Sequence, residues 1–388
     1  MVRLSVGRGP DTGSIASSVL ADKVVLDISS DIAYLEPDKA PLLRLLTPSS
    51  NSKANLRKED CKNSTFDWLE DENLPDWDTV HGICTSTTLT VHLAEYWAVG
   101  DVAIVPRTGN VYYVSAIGGD GVGQENLTVV RVYGSDDTVD NDPVVILRNT
   151  SAEGSASPAM LLNQETKPYN YTEIIKTPFG VTGTLNATEL YGGKELDRQS
   201  FKKGIDHAKA IERRLLFGRR YNITTGSYNH KFMGGCLYYI STNITTDTST
   251  FTETEWNTWL QTLFTYGDGS KVVLCGATLV AALNVFPSGK IRINDVLTTK
   301  YGLNILEWIC PFGTAYLVYH RLMSGATYGK MGIGLDMSNI KYRPLRTRDT
   351  TLEMNIQAKG TDRIEHQYMT EAGFEMRLEK THALLNIA

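Results

Sequence analysis

The stretch 195-ELDRQSFKKGIDHAKAIERRLLFGRR-220 is charged on almost every side, yet from Phe201 onward its apolar residues follow steps of three and four. Phe201, Ile205, Ala208, Ile211, Leu215 and Leu216, with Leu196 before them, form one narrow stripe, as expected of a helix that docks along a single line. The remaining faces carry Arg198, Lys202, Lys203, Lys209, Arg213, Arg214, Arg219 and Arg220 against Glu195, Asp197, Asp206 and Glu212, a local excess of about four positive charges. The spacing predicts one long helix, Glu195 to Arg220, lying across a domain rather than through its core.

Upstream of it the chain is extended over residues 166 to 194 and, before that, alternates with period two over residues 99 to 148. "VGDVAIVP", "VYYVSAI", "LTVVRVY" and "PVVILR" are separated by the turn clusters "RTGN", "GGDGVG" and "GSDDTVDND", which predicts a small antiparallel sheet or barrel. Residues 59 to 78, "EDCKNSTFDWLEDENLPDWD", combine eight carboxylates with Phe66, Trp68 and Trp77. Residues 1 to 58 read as an arm: a Gly/Ser-rich start, the apolar run Val24 to Ile28, and "DKAPLLRLLT", where Pro41 fits the first turn of a short helix carrying Leu42, Leu43, Leu45 and Leu46. An arm this thin cannot cover its own leucines.

Downstream, residues 230 to 330 read as a compact α/β block. "TETEWNTWLQTLFTYG" has a capping box at Thr252 to Glu255, a stripe of Trp256, Trp259, Leu260, Leu263 and Phe264, and Gly267 as a stop. A buried strand "KVVLCG", a helix "ATLVAALNVF" and a strand pair "LNILEWIC-PFG-TAYLVYHRLM" follow. The rest returns to strands: "TTLEMNIQA", "RIEHQYM", "FEMRLEK" and "HALLNI".

A chain of 388 residues has room for two or three domains and a substantial core. Its net charge of -6 and its 41% hydrophobic residues give no global signal for nucleic-acid binding. Cys61, Cys84, Cys236, Cys275 and Cys310 are odd in number and never paired as Cys-x-x-Cys, so free thiols are expected rather than a disulfide framework or a zinc site. Neither a signal-peptide pattern nor a membrane-spanning run is found, which predicts a protein made and kept in the cytoplasm or in something assembled there. Asn-x-Ser/Thr triplets begin at Asn63, Asn126, Asn149, Asn170, Asn186, Asn222 and Asn243, but a threonine-rich chain generates such triplets by chance and glycosylation is not expected.

Enzyme chemistry finds little support. The carboxylates Asp67, Glu70, Asp71, Glu72, Asp76 and Asp78 lie in one continuous aperiodic segment, whereas an acid and base pair must converge from a rigid scaffold, so a solvated or partner-facing strip is expected. "GATYGKMGIGLD", Gly325 to Asp336, lacks the context of a phosphate loop or dinucleotide fingerprint and reads as a flexible connector. The histidines at 81, 92, 207, 230, 320, 366 and 382 show no ligand spacing, and no Gly-x-Ser-x-Gly elbow occurs. No catalytic residue, cofactor or metal is expected.

The order of the parts carries a resemblance. An arm with "PDKAPLLRLLTP", an acidic Trp-bearing segment, a β insertion opening with "YWAVGDVAIV", then "TPFGVTGTLNATELYGGKELDRQSFKKGIDHAKAIERRLLFG", resembles the major capsid proteins of tailed bacteriophages with the Hong Kong 97-type fold. The resemblance implies an α+β subunit with an N-terminal arm (1–58), an extended loop with a β-rich insertion (59–160), a peripheral domain with the spine helix (161–229), an α/β axial domain (230–330) and peripheral closing strands (331–388). It implies a structural role in hexamers and pentamers of an icosahedral head around double-stranded DNA, in a virion assembled in the host cytoplasm, with non-specific contacts to that DNA. A separate scaffolding protein, a portal and a decoration protein are the further partners it implies; a membrane is not among them. An encapsulin-like compartment shares the fold, and a secreted β-rich adhesin is the more distant alternative. Carried onto the charged segments, it implies a contact between neighbouring copies, with Trp68, Glu70, Glu72 and Trp77 meeting Lys202, Lys203, Arg213 and Arg214. The rival is that those cations face the lumen and screen packaged DNA.

Overall fold

The computed structural model describes residues 40–46, 57–84, 87–119, 123–158, 160–188, 193–226, 228–247, 250–286, 291–293 and 305–388. Most of the expected arm, including Val24 to Ile28, lies outside the described residues. The chain divides into two compact units, residues 67–168 and residues 1–66 with 169–388.

The unit 67–168 is a β structure with its own core. Its strands are β1 (Trp77–Thr79), β2 (Thr88–Val91), β3 (Asp101–Val105), β4 (Asn110–Ile117), β5 (Glu125–Tyr133) and β6 (Pro143–Asn149). They form one antiparallel sheet in the order β1-β6-β3-β4-β5-β2. The two end strands meet through a bridge between Val80 and Val91, flanked by His81 N–H to Thr90 O at 2.9 Å and His92 N–H to Thr79 O at 3.2 Å. The sheet therefore closes on itself as a small barrel, which removes the exposed edge a flat sheet would leave. Leu89, Trp97, Val105, Tyr112, Val114, Leu127 and Val144 fill its core, alternating with outward residues as the period-two pattern predicts. The sequence pattern marks β3 to β6; β1 and β2 are too short to show a period.

The larger unit begins with α1 (Pro41–Leu46), whose Leu42, Leu45 and Leu46 are buried against Ile211, Leu215 and Leu216 of α2 (Glu195–Phe217). The long helix is thus present but ends at Phe217, three residues before Arg220, and is capped by Gly218, where a Cβ would lie 2.5 Å from both Arg214 O and Met233 O. Its buried face keeps only the second half of the expected stripe, Ile211, Leu215 and Leu216. Phe201 is 60% exposed, while His207 and Glu212 are buried beside Ile211, Leu215 and Leu216. Both polar side chains are fully engaged, as burial requires. His207 lies between Thr177 Oγ1 at 2.9 Å and Thr370 Oγ1 at 2.8 Å. Glu212 accepts the N–H groups of Leu42 and Leu43 at 2.7 and 2.8 Å, at the start of α1, and its Oε1 lies 2.7 Å from His320 Nε2.

The helix lies on β7 (Glu173–Thr182) and on the strand that pairs with it. After the hairpin β8 (Tyr221–Thr225) and β9 (Tyr228–Phe232), the chain enters an α/β layer. That layer comprises β10 (Ile244–Thr246), α3 (Glu253–Leu263), β11 (Ser270–Cys275), α4 (Ala277–Leu283), β12 (Ile291–Ile293), β13 (Ile305–Cys310), β14 (Gly313–Tyr319) and β15 (Met331–Leu335). β16 (Ile340–Pro344), β17 (Thr351–Glu353), β18 (Arg363–Met376) and β19 (Ala383–Asn386) follow. β18 is one continuous strand where the sequence suggested two. It pairs with β7 on one edge, from Arg363–Thr182 to Ala372–Glu173, and with β16 and β17 on the other. Gly373 lets it pass Phe66, whose ring would lie 2.4 Å from a Cβ there.

The second sheet has seven strands in the order β10-β19-β15-β11-β14-β13-β12. Val273 and Cys275 of β11 face α3 and α4, whereas Leu274 faces the core shared with α1 and α2, so this strand is buried on both sides. The capping box forms: Thr252 and Glu255 exchange side-chain-to-backbone hydrogen bonds at the start of α3. Two expectations are corrected here. Gly325 to Asp336 is no flexible connector but a short helical turn followed by the fully buried strand β15, in which Cβ atoms on Gly332 and Gly334 would lie 2.6 Å from Leu279 Cδ2 and Leu263 Cδ1. Glycine there lets two helices pack close on the sheet. Likewise β15 and β19, expected among the closing strands, belong to the seven-stranded sheet, because β19 fills the gap between β10 and β15.

Buried polar groups fix the ends of these elements. Lys271 Nζ donates to the carbonyls of Leu263, Tyr266 and Thr381 at 2.7, 2.6 and 2.7 Å, and burial lowers its pKa. His382 accepts the Asp336 N–H on Nδ1 at 3.1 Å and faces the Arg377 carbonyl with Nε2 at 3.2 Å, partners that specify a neutral ring protonated on Nε2. Burial pushes its pKa down to about 4.

Two measurements check this account. Glu212→Ala leaves two N–H groups and His320 without their buried acceptor, and is expected to lower the unfolding free energy by about 2–3 kcal/mol or more. A urea midpoint unchanged from the parent would show that the carboxylate does not hold α1. For His382, the ring is neutral in both the folded and the unfolded chain above about pH 6.5; as pH falls from there towards about 4, the unfolded chain takes up a proton that the folded one refuses. Stability is expected to fall by up to about 1.4 kcal/mol per pH unit over that window. Denaturation midpoints between pH 7 and 4.5 that decline as steeply in His382→Gln as in the parent would refute it.

Candidate functional site: the charged and aromatic surfaces

The residues expected to meet across a subunit boundary fall on both units. Trp68, Glu70, Glu72 and Trp77 belong to 67–168, and Lys202, Lys203, Arg213 and Arg214 to α2 of the larger unit. Within the first group the structure separates anchors from struts. Trp68 is buried, with its indole N–H donating to Glu70 Oε1 at 2.7 Å, so it stiffens its own segment instead of offering a surface. The strip is also tied down by Glu70 N–H to Thr166 O at 2.9 Å and Asn163 Nδ2 to Glu72 O at 2.9 Å. Its exposed apolar groups are Leu69 and Trp77, 62% and 56% exposed, and Asp71 and Glu72 stand exposed with them. Asp78, expected on the solvated strip, is buried and accepts the Trp97 indole N–H at 2.9 Å.

The cations of α2, and Arg219 and Arg220 just after it, sort in the same way. Arg198 is paired with Glu195, Lys203 Nζ lies 3.2 Å from Asp206 Oδ2, and Arg214 Nε lies 2.7 Å from Glu173 Oε1. Arg220 stacks on Tyr169, its guanidinium carbon 3.8 Å from the ring centroid, and donates to the Tyr169 carbonyl at 2.6 Å. Arg213 and Arg219 are exposed and have no ion pair among the described residues. Near Arg213, an open cleft of about 360 Å³ is lined by Arg213, Arg214, Phe217, Gly218, Leu322 and Tyr328. It offers one uncommitted guanidinium above an apolar floor.

A second unpartnered surface follows the helix. Every residue of β8, and all but Lys231 of β9, is exposed, including Tyr221 and Tyr228. A two-stranded ribbon is marginal by itself in water, and this one presents aromatic side chains to solvent.

Nothing among these groups assembles a reaction centre. His320 and Glu212 form a closed polar contact with α1, fully shielded from solvent. The five cysteines are free; burial raises the pKa of Cys236 and pushes Cys275 up to about 12, the reverse of an activated thiol. Asn170, in one of the sequons, is buried and donates to the carbonyls of Gly234 and Phe374 at 3.0 and 2.6 Å. No helix among the described residues is long and apolar enough to cross a membrane.

The residues that sequence reasoning missed are Glu212, His320 and Asp78. Each looks like a surface charge in sequence, and only the distant partner, up to 170 positions away for Glu212, makes it interior.

Comparison with known proteins adds the wider frame. A family model described as SU10 major capsid protein matches residues 11–388. Among solved structures, the chain is similar to the capsid of a native GTA particle, with 10% identity, coverage of 97% of this chain and 100% of that one, and a TM-score of 0.50. It is similar to a structure from Mycobacterium phage Bobi at 8% identity, 97% and 99% coverage and a TM-score of 0.51. A structure from Microbacterium phage Oxtober96 gives 8% identity, 97% and 100% coverage and a TM-score of 0.50. At these identities the likeness is one of fold. Comparison with curated protein sequences finds no match.

Proposed function

Because the chain belongs to the SU10 major capsid protein family, it is a structural subunit of a capsid and not an enzyme, and we propose how its surfaces serve that shell. The family match over almost the whole chain is the observation that carries the reading. The α+β fold is of the Hong Kong 97 type, and the protein is part of the virion. Copies of the chain assemble with one another into the shell, as hexamers and pentamers of an icosahedral head that encloses double-stranded DNA and forms in the host cytoplasm. A separate scaffolding protein, a portal and a decoration protein complete the set of partners.

The parts then take roles. α2 with β7, β16, β17 and β18 is the peripheral domain, the seven-stranded layer with α3 and α4 is the axial domain, and the closed barrel is an insertion in the extended loop. The acidic strip carrying Glu70, Glu72 and Trp77, with Leu69 beside them, seats on the Arg213 cleft of the next copy. Charge and apolarity match on the two sides: a segment with exposed leucine, tryptophan and carboxylates faces an arginine over Phe217, Leu322 and Tyr328. Lys202 and Lys203 extend the positive side, and Arg214 contributes less because Glu173 already holds it. One exposed pair contributes only about 0–1 kcal/mol, but a closed shell repeats it at every boundary.

Assembly tests the first part. Sedimentation at micromolar concentration, with the cognate scaffold present, is expected to show capsomers or shells, since obligate interfaces bury roughly 2,000 Å² or more; a persistent monomer would overturn it. The contact is tested in genome-free particles. Arg213→Glu is expected to reduce the yield of closed shells, and Glu70→Lys with Glu72→Lys to restore part of it. If Arg213→Glu assembles normally and only DNA packaging suffers, these cations face the lumen instead.

A further inference from the structure

The seam of the barrel holds a cluster that the capsid reading does not use. Val80 and Val91 pair and both turn into the core, so strand alternation sends their neighbours His81 and His92 outward, diagonal to each other on one face. Their rings are stacked, 5.2 Å between centroids and 8° from parallel. Asp140, from the connection between β5 and β6, reaches the same spot: its Oδ1 accepts the Gly82 N–H at 2.7 Å and lies 3.8 Å from His81 Nδ1. One donor atom from each of the three lies within 4.8 Å of the others.

We propose that His81, His92 and Asp140 bind a borderline first-row divalent cation of the Zn²⁺ or Ni²⁺ class. Two imidazole nitrogens and one carboxylate suit that class, whereas Ca²⁺ and Mg²⁺ take oxygen shells. The 3.8 Å between His81 and Asp140 is close to the roughly 3.4 Å that separates two ligands of a tetrahedral ion. The two rings need only turn about their side-chain bonds to converge, and His81 is exposed enough to do so. The Gln124 amide nitrogen lies 3.0 Å from His92 Nδ1; a 180° turn of the amide puts its oxygen there instead, where it accepts Nδ1–H and leaves Nε2 bare for the ion. Water completes the shell. The ligands come from the ends of β1 and β2 and from a third segment, so the ion clamps the barrel where a single bridge closes it.

Untagged full-length chain, stripped with chelator and titrated calorimetrically with ZnCl₂, is expected to take up a single ion per chain and to melt at a higher temperature when loaded. His81→Ala and Asp140→Ala are expected to abolish both effects, Gln124→Ala to weaken binding by about tenfold, and His230→Ala, on the exposed hairpin, to change nothing. These substitutions lie on the surface, and unchanged circular dichroism of the metal-free variants verifies that they fold. An absence of saturable uptake overturns the proposal, as does uptake that survives in the His81→Ala, His92→Ala double variant.

Discussion

The larger unit depends on one carboxylate. Glu212 sits in the C-terminal third of the highly charged α2 and is fully buried, because the first two N–H groups of α1 after Pro41 and the imidazole of His320 converge on it. A helix N-terminus carries a partial positive charge and N–H groups without helical partners, and a carboxylate satisfies both. The same contact brings Leu42, Leu45 and Leu46 onto Ile211, Leu215 and Leu216 and so covers leucines that the thin arm cannot cover. α2 thus has an interior side made of polar groups that are each matched, and an exterior side made of cations that are partly left over. That division gives one helix a buried side that joins a core and a charged side that faces outward.

The two units solve burial differently. In the larger one, two sheets, α1 and α2 share one hydrophobic cluster and α3 and α4 cover a second, and close approach is obtained with glycine: Gly332 and Gly334 under α4 and α3, Gly373 beside Phe66. In 67–168 the sheet closes on itself and keeps a separate core. A segment with its own core needs little from the rest of the chain to fold.

Local features of this fold were legible in the sequence because their causes are local. The period of three and four marks α2, the Thr252 and Glu255 pair marks the start of α3, and period two marks β3 to β6. What failed was set by distant partners. Phe201 fits the stripe but is 60% exposed, and His207 and Glu212 break the stripe yet find matched donors and acceptors. The glycines of Gly325 to Asp336 read as looseness when they mark tight packing, and Trp68 read as a surface anchor when its indole is tied to Glu70. The proposed contact residues were legible only as charge surplus and aromatics; which of them are exposed and which already paired is set by the fold.

The place of β19 bears on how fast subunits become available. Residues 383–386 slot between residues 244–246 and 331–335, so the seven-stranded sheet stays split, with open backbone edges, until segments some 140 positions apart have met. Contacts of such long range make folding slow, and unpaired edges attract other chains in the meantime. For a protein that accumulates in many copies in order to associate, this sets a race between completing the sheet and aggregating wrongly. Until residues 383–386 lie between them, the backbone edges of residues 244–246 and 331–335 stay open to pairing with other chains.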